Sequence, residues 1–478
     1  MTIAHDFSDW LSPMLVKELR QGMRSKALIT SLFLLQSLLI LNAIVGLGAA
    51  AKDDLTGTTV LFWVIIGLPL LVILPSSALG GIGNEIKANT LDLVFLTRLT
   101  ARRIVLGKWI AILAQSALLA LTALPYIALR YYLGGVNITA DLTTAGLIIV
   151  ASAMISALTV ALSSYPAKSV RILFGVAFFF SIQFLGVFGV ASSMGGRRVI
   201  FTGLGDWPAV AALLLLVPLF VLLMIEVGAI RIAPAAENHS GMCRLLALLV
   251  VLTTGAAAAL APRAGWLLVV GQVIATPFCI AALCEVPPSV PGVFRPLVRR
   301  GRIGSLLTRV FSPGWHTGVL YVLLIGLLLA FFYQQAGWLR ARGDGLPALR
   351  HQLSLAGFEV SLLLPAILAP ALSRKRVYYF VGLFGFCLVV FILALMLGAT
   401  DRYAKDEMIN LLTFLPPVAV FASALTSQNA VPQLAWTTFL GLLALGIYLF
   451  KSREAWRQSH ALRKVARQQV TQKLEHAA

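Results

Sequence analysis

Apolar residues in this chain do not alternate with polar ones; they run in long blocks. Blocks cover 27–50, 58–80, 109–129, 143–162, 172–190 and 210–230 in the first half. Others cover 245–260, 266–284, 319–333, 355–372, 377–397, 411–424 and 434–450 in the second half. Most approach or exceed the roughly 17–25 residues with which a helix crosses a hydrocarbon layer about 30 Å thick. Polar, Gly or Pro breaks separate them. The block at 411–424 is the shortest, carries Pro416 and Pro417 in its middle, and follows the acidic stretch "TDRYAKDEMIN". It therefore predicts a re-entrant or outward-side helix rather than a crossing.

The pattern predicts an all-α, polytopic membrane protein of about twelve spans in two six-span halves. Residues 1–26 read as an amphipathic helix at the cytoplasmic interface. The first half covers 27–232 and a second, degenerate half covers 233–450. In the tail, 451–478, the residues Trp456, Leu462, Ala466, Val470 and Leu474 share one helical face, so a basic cytoplasmic helix is expected there. The halves match in layout, since in each the second block ends on a glutamate, Glu85 or Glu285, before a basic segment.

Composition agrees with this reading. The chain is 59% hydrophobic and 12% charged, against about 25% charged in soluble domains. Its net charge of +19 does not point to nucleic acid, because the basic residues cluster at the ends of apolar blocks instead of lining one mixed basic and aromatic face. Most of the 38 lysines and arginines fall on one side if 411–424 does not cross and both termini are cytoplasmic. Cys243, Cys279, Cys284 and Cys387 lie in or beside apolar blocks, so neither a disulfide framework nor a metal site is expected. The first 26 residues lack the basic start, apolar centre and small-residue cleavage site of a signal peptide. No Walker pattern occurs, and the six histidines are scattered, so no catalytic residue and no cofactor is expected.

One segment is too charged for its surroundings: residues 84–110, "NEIKANTLDLVFLTRLTARRIVLGKWI". Asn89 or Thr90 can cap a short helix starting at Leu91, and Thr100 can cap the helix that becomes the third span. Leu91, Leu93 and Phe95 are apolar enough to need a cover, while Arg98 and Arg103 hold the segment at the membrane surface. The run Glu85, Thr90-Leu91-Asp92-Leu93, Thr97-Arg98-Leu99-Thr100, Arg103-Ile104 and Gly107-Lys108 resembles the coupling-helix region of type-2 ATP-binding-cassette exporter permeases. Residues 12–27, "SPMLVKELRQGMRSKA", with Lys17, Glu18 and Arg20, are similar to that family's N-terminal interface helix. The resemblance covers residues 12–232. It implies a permease subunit of the bacterial inner membrane, multi-pass, coupled through Glu85, Thr90, Leu91, Leu93, Phe95, Arg98, Thr100 and Arg103 to a separate ATPase subunit in two copies. A second permease chain or an accessory subunit is compatible with it.

The corresponding stretch of the second half, 285–315, keeps Glu285 but is broken by Pro287, Pro288, Pro291 and Pro296, with room for a short helix from Ile303 to Phe311. An alternative reading also stays open. Glu226 and Glu359 are the carboxylates placed well inside blocks, Glu226 beside Arg231 and Glu359 towards the outer end. An intramembrane acid is a candidate ion or proton site, so a stand-alone secondary transporter or channel is the second class considered.

Overall fold

The computed structural model describes residues 13–50, 56–87, 100–133, 138–165, 207–234, 236–261, 266–340 and 431–475. These are helical, with no strand among them. A short helix α1, Pro13–Met23, precedes α2, Lys26–Ala50. The next helix, α3, is composite: Thr56–Leu68 continues through Pro69–Ile73, Leu74–Ser77 and Ala78–Gly80 into Gly81–Lys87. Then follow α4 (Ala101–Leu133), α5 (Ile138–Ser163), α6 (Trp207–Ile232), α7 (His239–Leu260) and α8 (Trp266–Cys284). A 3₁₀ turn, Pro291–Phe294, leads into α9 (Arg295–Val298), α10 (Gly301–Phe311), α11 (Trp315–Arg340) and α12 (Val431–Glu475).

Seven helices among the described residues are long and apolar enough to cross a membrane: α2 to α7 and α11. The chain is a multi-pass membrane protein. The expected crossings at 172–190, 355–372 and 377–397, and the helix expected at 411–424, lie outside the described residues. The last expected crossing, 434–450, is helical as part of α12. Many apolar side chains face outward, Phe33, Leu41 and Ile44 on α2 and Leu214 on α6 among them. In water such faces would be a liability, whereas against lipid tails they cost nothing.

The helices gather into two compact units. The first holds α1 to α5 and the end of α6, with a core of Leu35 and Leu39 from α2, Phe62, Ile66, Leu70 and Leu74 from α3, and Leu119 and Ile127 from α4. The second holds the start of α6 and α7 to α12, its core built on Val251, Leu268, Cys279, Val322, Ile325 and Leu329.

α3 departs from a regular helix for a reason written in its prolines. Pro75 has no N–H to give to the chain before it. The Leu74 N–H bonds to the Pro69 carbonyl, one residue further back than α-helical register, so residues 69–73 form a π turn. The Leu70 carbonyl is then orphaned, because Leu74 N is taken and Pro75 has no hydrogen to offer. Ser152 of α5 fills the gap: its hydroxyl donates to Leu70 O at 2.8 Å and lies 3.0 Å from the Ser116 hydroxyl of α4. Both serines are buried, so one small polar node joins three spans where lipid offers no alternative partner.

α4 begins eight residues before the apolar block that predicts it. Its first turn starts after Thr100, whose carbonyl accepts from Arg103 N and Ile104 N. The helix therefore carries charge at both ends. Lys108 and Arg130 are separated by about 33 Å of axis at 1.5 Å per residue, close to the thickness of a hydrocarbon core. At the far end Arg130 pairs with Asp141 of α5 at 3.0 Å, donates to Thr59 of α3 at 3.0 Å and lies over the Phe62 ring.

The tail is helical as its sequence predicts, but it is not a separate element. α12 runs unbroken from the last apolar block through residue 475. Ser452, Ala455, Ser459 and Ala466 are buried along one side, and small side chains let two backbones approach closely. That side packs on residues 291–298 and on the start of α11: Tyr448 donates to His316 O at 2.7 Å, Ser459 pairs with His316 Nε2 at 2.8 Å, and Arg295 reaches Gln469 Oε1 at 2.6 Å.

Candidate functional site

The segment singled out by the sequence, 88–99, lies outside the described residues, and with it Thr90, Leu91, Leu93, Phe95 and Arg98. Its two flanks are described, and both end in buried ion pairs. On the entering side α3 finishes with Glu85; on the leaving side α4 opens with Ala101, Ile104 and Val105, all fully buried, and Lys108, nearly so. The Lys108 ammonium stands 2.9 Å from Glu85 Oε1 and 2.9 Å from Glu18 Oε1 of α1. Lys17, largely exposed, lies 3.9 Å from Glu85. A single buried cation thus holds three helices.

The sequence explains why these groups meet. Ile104, Lys108, Ala111 and Gln115 recur at helical spacing and form one face of α4, which α1 covers. Gly22 of α1 sits against the Gln115 amide, close enough that a Cβ there would displace it. α1 therefore lies on α4 rather than on lipid alone, and Glu18 is the residue of α1 that reaches Lys108. The partner of Glu85 is a lysine, on the same face of α4 as the apolar positions around it.

A second pair fixes the opening turn of α4 from another side. Arg102 Nε lies 3.2 Å from Glu226 Oε1, and Glu226 is only 2% exposed. Glu226 stands near Arg231 in the sequence, but its partner is Arg102. Five residues along a helix rotate a side chain by about 140°, so the two cannot share a face. Arg231 instead lies over the Tyr165 ring at 5.2 Å. At Gly228, α6 comes close to Val105 and to the backbone of Ala161, where the small residue admits the contact. Thr100, Arg103, Lys17 and Arg20 stay exposed at the rim. Glu359 lies outside the described residues.

In the second unit the other glutamate is held as firmly, by a different route. Arg244 of α7 is 2% exposed; its Nη2 lies 2.6 Å from Glu285 Oε2, at the end of α8. Its Nη1 donates to Val310 O at 2.9 Å, Ser312 O at 2.8 Å and Thr317 Oγ1 at 3.0 Å. These acceptors include carbonyls at the C-terminus of α10, which the helix itself leaves unpaired. Ser240 donates to Glu285 Oε1, and Gly314 N donates to Oε2 at 3.1 Å. Gly314 has φ +125°, a conformation that only glycine adopts without strain. The short helix expected at 303–311 is present as α10, starting at Gly301.

The layout repeat therefore ends on glutamates in both units, but the cations differ in origin. Lys108 follows its segment along the chain, and Arg244 precedes its own. Compared with known proteins, the chain matches no family model, no curated protein and no solved structure. The site rests on its own geometry: two helices, α3 and α8, each ended or followed by a glutamate tied to a buried cation, Glu85 to Lys108 and Glu285 to Arg244. In the sequence Arg102 reads as one of the basic residues that hold 84–110 at the membrane surface and Arg244 as a cytoplasmic charge; neither is given a partner there. Arg244 had a signal, as a lone charge in the first turns of an apolar helix, where burial demands a partner.

Proposed function

We propose that this chain is the permease subunit of an ATP-driven exporter of the type-2 ATP-binding-cassette kind. It would sit in the bacterial inner membrane with both termini cytoplasmic and twelve spans in two halves. Separate ATPase subunits bind residues 88–99, and ATP binding drives them together. The observation that supports this reading is the pair of anchors around that segment. A push on 88–99 enters α3 through Glu85 and α4 through Arg102 and Lys108, and the same ion pairs pass it to α1 and α6. Rigid coupling of this kind lets an outside ligand shift a membrane domain between two states, to the extent that it binds one state better.

The substrate is left open by this reading. The stand-alone carrier has less to stand on, since the Glu226 carboxylate is already committed to Arg102. The test is purification of the intact chain from its native membrane in mild detergent. An ATPase subunit should co-purify, and Phe95→Asp should abolish that association while leaving the permease in the membrane, because it would bury an unpaired charge in the contact. If Phe95→Asp leaves ATPase association and ATP-dependent transport unchanged, the coupling role of 88–99 is wrong.

A further inference from the structure

Arg463 on α12 is a cation with no counter-ion among the described residues. Its guanidinium lies between the rings of Phe294 and Trp456, at 5.7 and 5.4 Å from their centroids. Its Nε and Nη2 are buried and meet no acceptor among the described residues. Buried donors are almost always paired, and a charged one more stringently than most. Burial first, and then the charge of Arg309, press the Arg463 guanidinium below its usual range.

These two arginines border a groove of about 730 Å³ between α10, α11 and α12. Arg457, His460 and Lys464 add to its basic rim, while Leu320 and Trp456 form its apolar wall. A second stretch shares Leu320, Trp456 and Arg457 and continues past Arg453 and Ser452 to Tyr448. Tyr448 belongs to the last apolar block and Lys464 lies well beyond it, so the groove passes from membrane depth to the surface. No carboxylate lines either stretch among the described residues.

We infer that this groove is a binding site for an anionic phospholipid, its phosphate between Arg309, Arg457, Arg463 and Lys464 and its acyl chain along Leu320 towards Tyr448. Each feature has its use. Guanidinium groups recognise phosphate oxygens through paired N–H donors. Basic pockets between helices at the membrane surface select charged head groups over zwitterionic ones. Tryptophan and tyrosine at that level suit the boundary between head group and tail. The inference rests on the chain being a membrane protein and not on the exporter reading.

The test uses the purified full chain in detergent, with native mass spectrometry counting bound phosphatidylglycerol against phosphatidylcholine offered in equal amount. The intact chain should retain phosphatidylglycerol preferentially. Arg309, Arg457 and Lys464 are exposed, so Arg457→Gln and Lys464→Gln should fold, each lowering the preference about fivefold, while Arg457→Lys should keep most of it. Equal retention of the two lipids, or a preference untouched in the Arg457→Gln/Lys464→Gln variant, would overturn the proposal. So would millimolar inorganic phosphate erasing the preference, since the site would then take the free ion and not the lipid.

Discussion

Lys108 is one ammonium between two carboxylates, each 2.9 Å away, at a position where water is largely absent. Desolvating the three groups is costly, and their mutual attraction offsets that cost only while all are present. Lys108→Met keeps the length of the side chain and removes the charge, leaving Glu18 and Glu85 facing each other. We expect a loss on the order of 3 kcal/mol, read as earlier thermal unfolding of the purified chain in detergent. The triple variant Lys108→Met/Glu18→Gln/Glu85→Gln should recover most of it, since no buried charge is then unpaired. If the single and triple variants unfold alike, Lys108 contributes through packing and not as a cation. Lys17, 3.9 Å from Glu85 and mostly exposed, should matter little by comparison, as surface pairs do.

At the scale of elements, the π turn of α3 shows what a sequence does and does not disclose. The apolar block at 58–80 and Pro75 are both visible in it, so a span with an interruption is legible. The register shift is not, because the orphaned Leu70 carbonyl is rescued by Ser152, a residue of another helix whose approach depends on tertiary packing. The same limit applies to the charges. Glu85 and Lys108 can be picked out as unusual, but that Lys108 holds Glu85 and Glu18 together depends on α1 lying across α4. Glu226 and Arg231 are near in the chain, yet helix geometry sends their side chains to different partners, Arg102 and the Tyr165 ring. Ser152→Ala tests the account of α3. It leaves a carbonyl without a donor in an apolar setting, a cost of about 1–3 kcal/mol, with the fold retained. Its thermal unfolding should come earlier than that of Ser156→Ala. Ser156 is also buried but bonds within its own helix, to Ala153 O, so its removal orphans no carbonyl outside α5. Equal effects of the two changes would mean that the Leu70 carbonyl does not depend on Ser152.

For the whole molecule the open quantity is the number of crossings, and the second unit constrains its parity. α12 returns to the segment that precedes α11, because Arg295 before α10 holds Gln469 near the end of α12. Both points therefore lie on one side of the membrane. If the chain crosses once in α11 and, as the sequence expects, once through the apolar block 434–450 of α12, the intervening candidates must add an even number. The sequence offers three there: 355–372, 377–397 and 411–424. On that parity at least one of them is expected not to cross, and 411–424 is the one with Pro416 and Pro417 at its centre. The triplet Arg374, Lys375 and Arg376 separates the other two and is expected among the cytoplasmic charges. Single cysteines placed at 404 and 428 in a chain whose own cysteines are replaced should therefore both react with a membrane-impermeant maleimide from outside, while one at 375 should not. Labelling of 404 and 428 from opposite sides would mean that 411–424 crosses. The parity would then require 355–372 or 377–397 to remain on one side, and the twelve-span arrangement of two halves would need a different pairing of its helices.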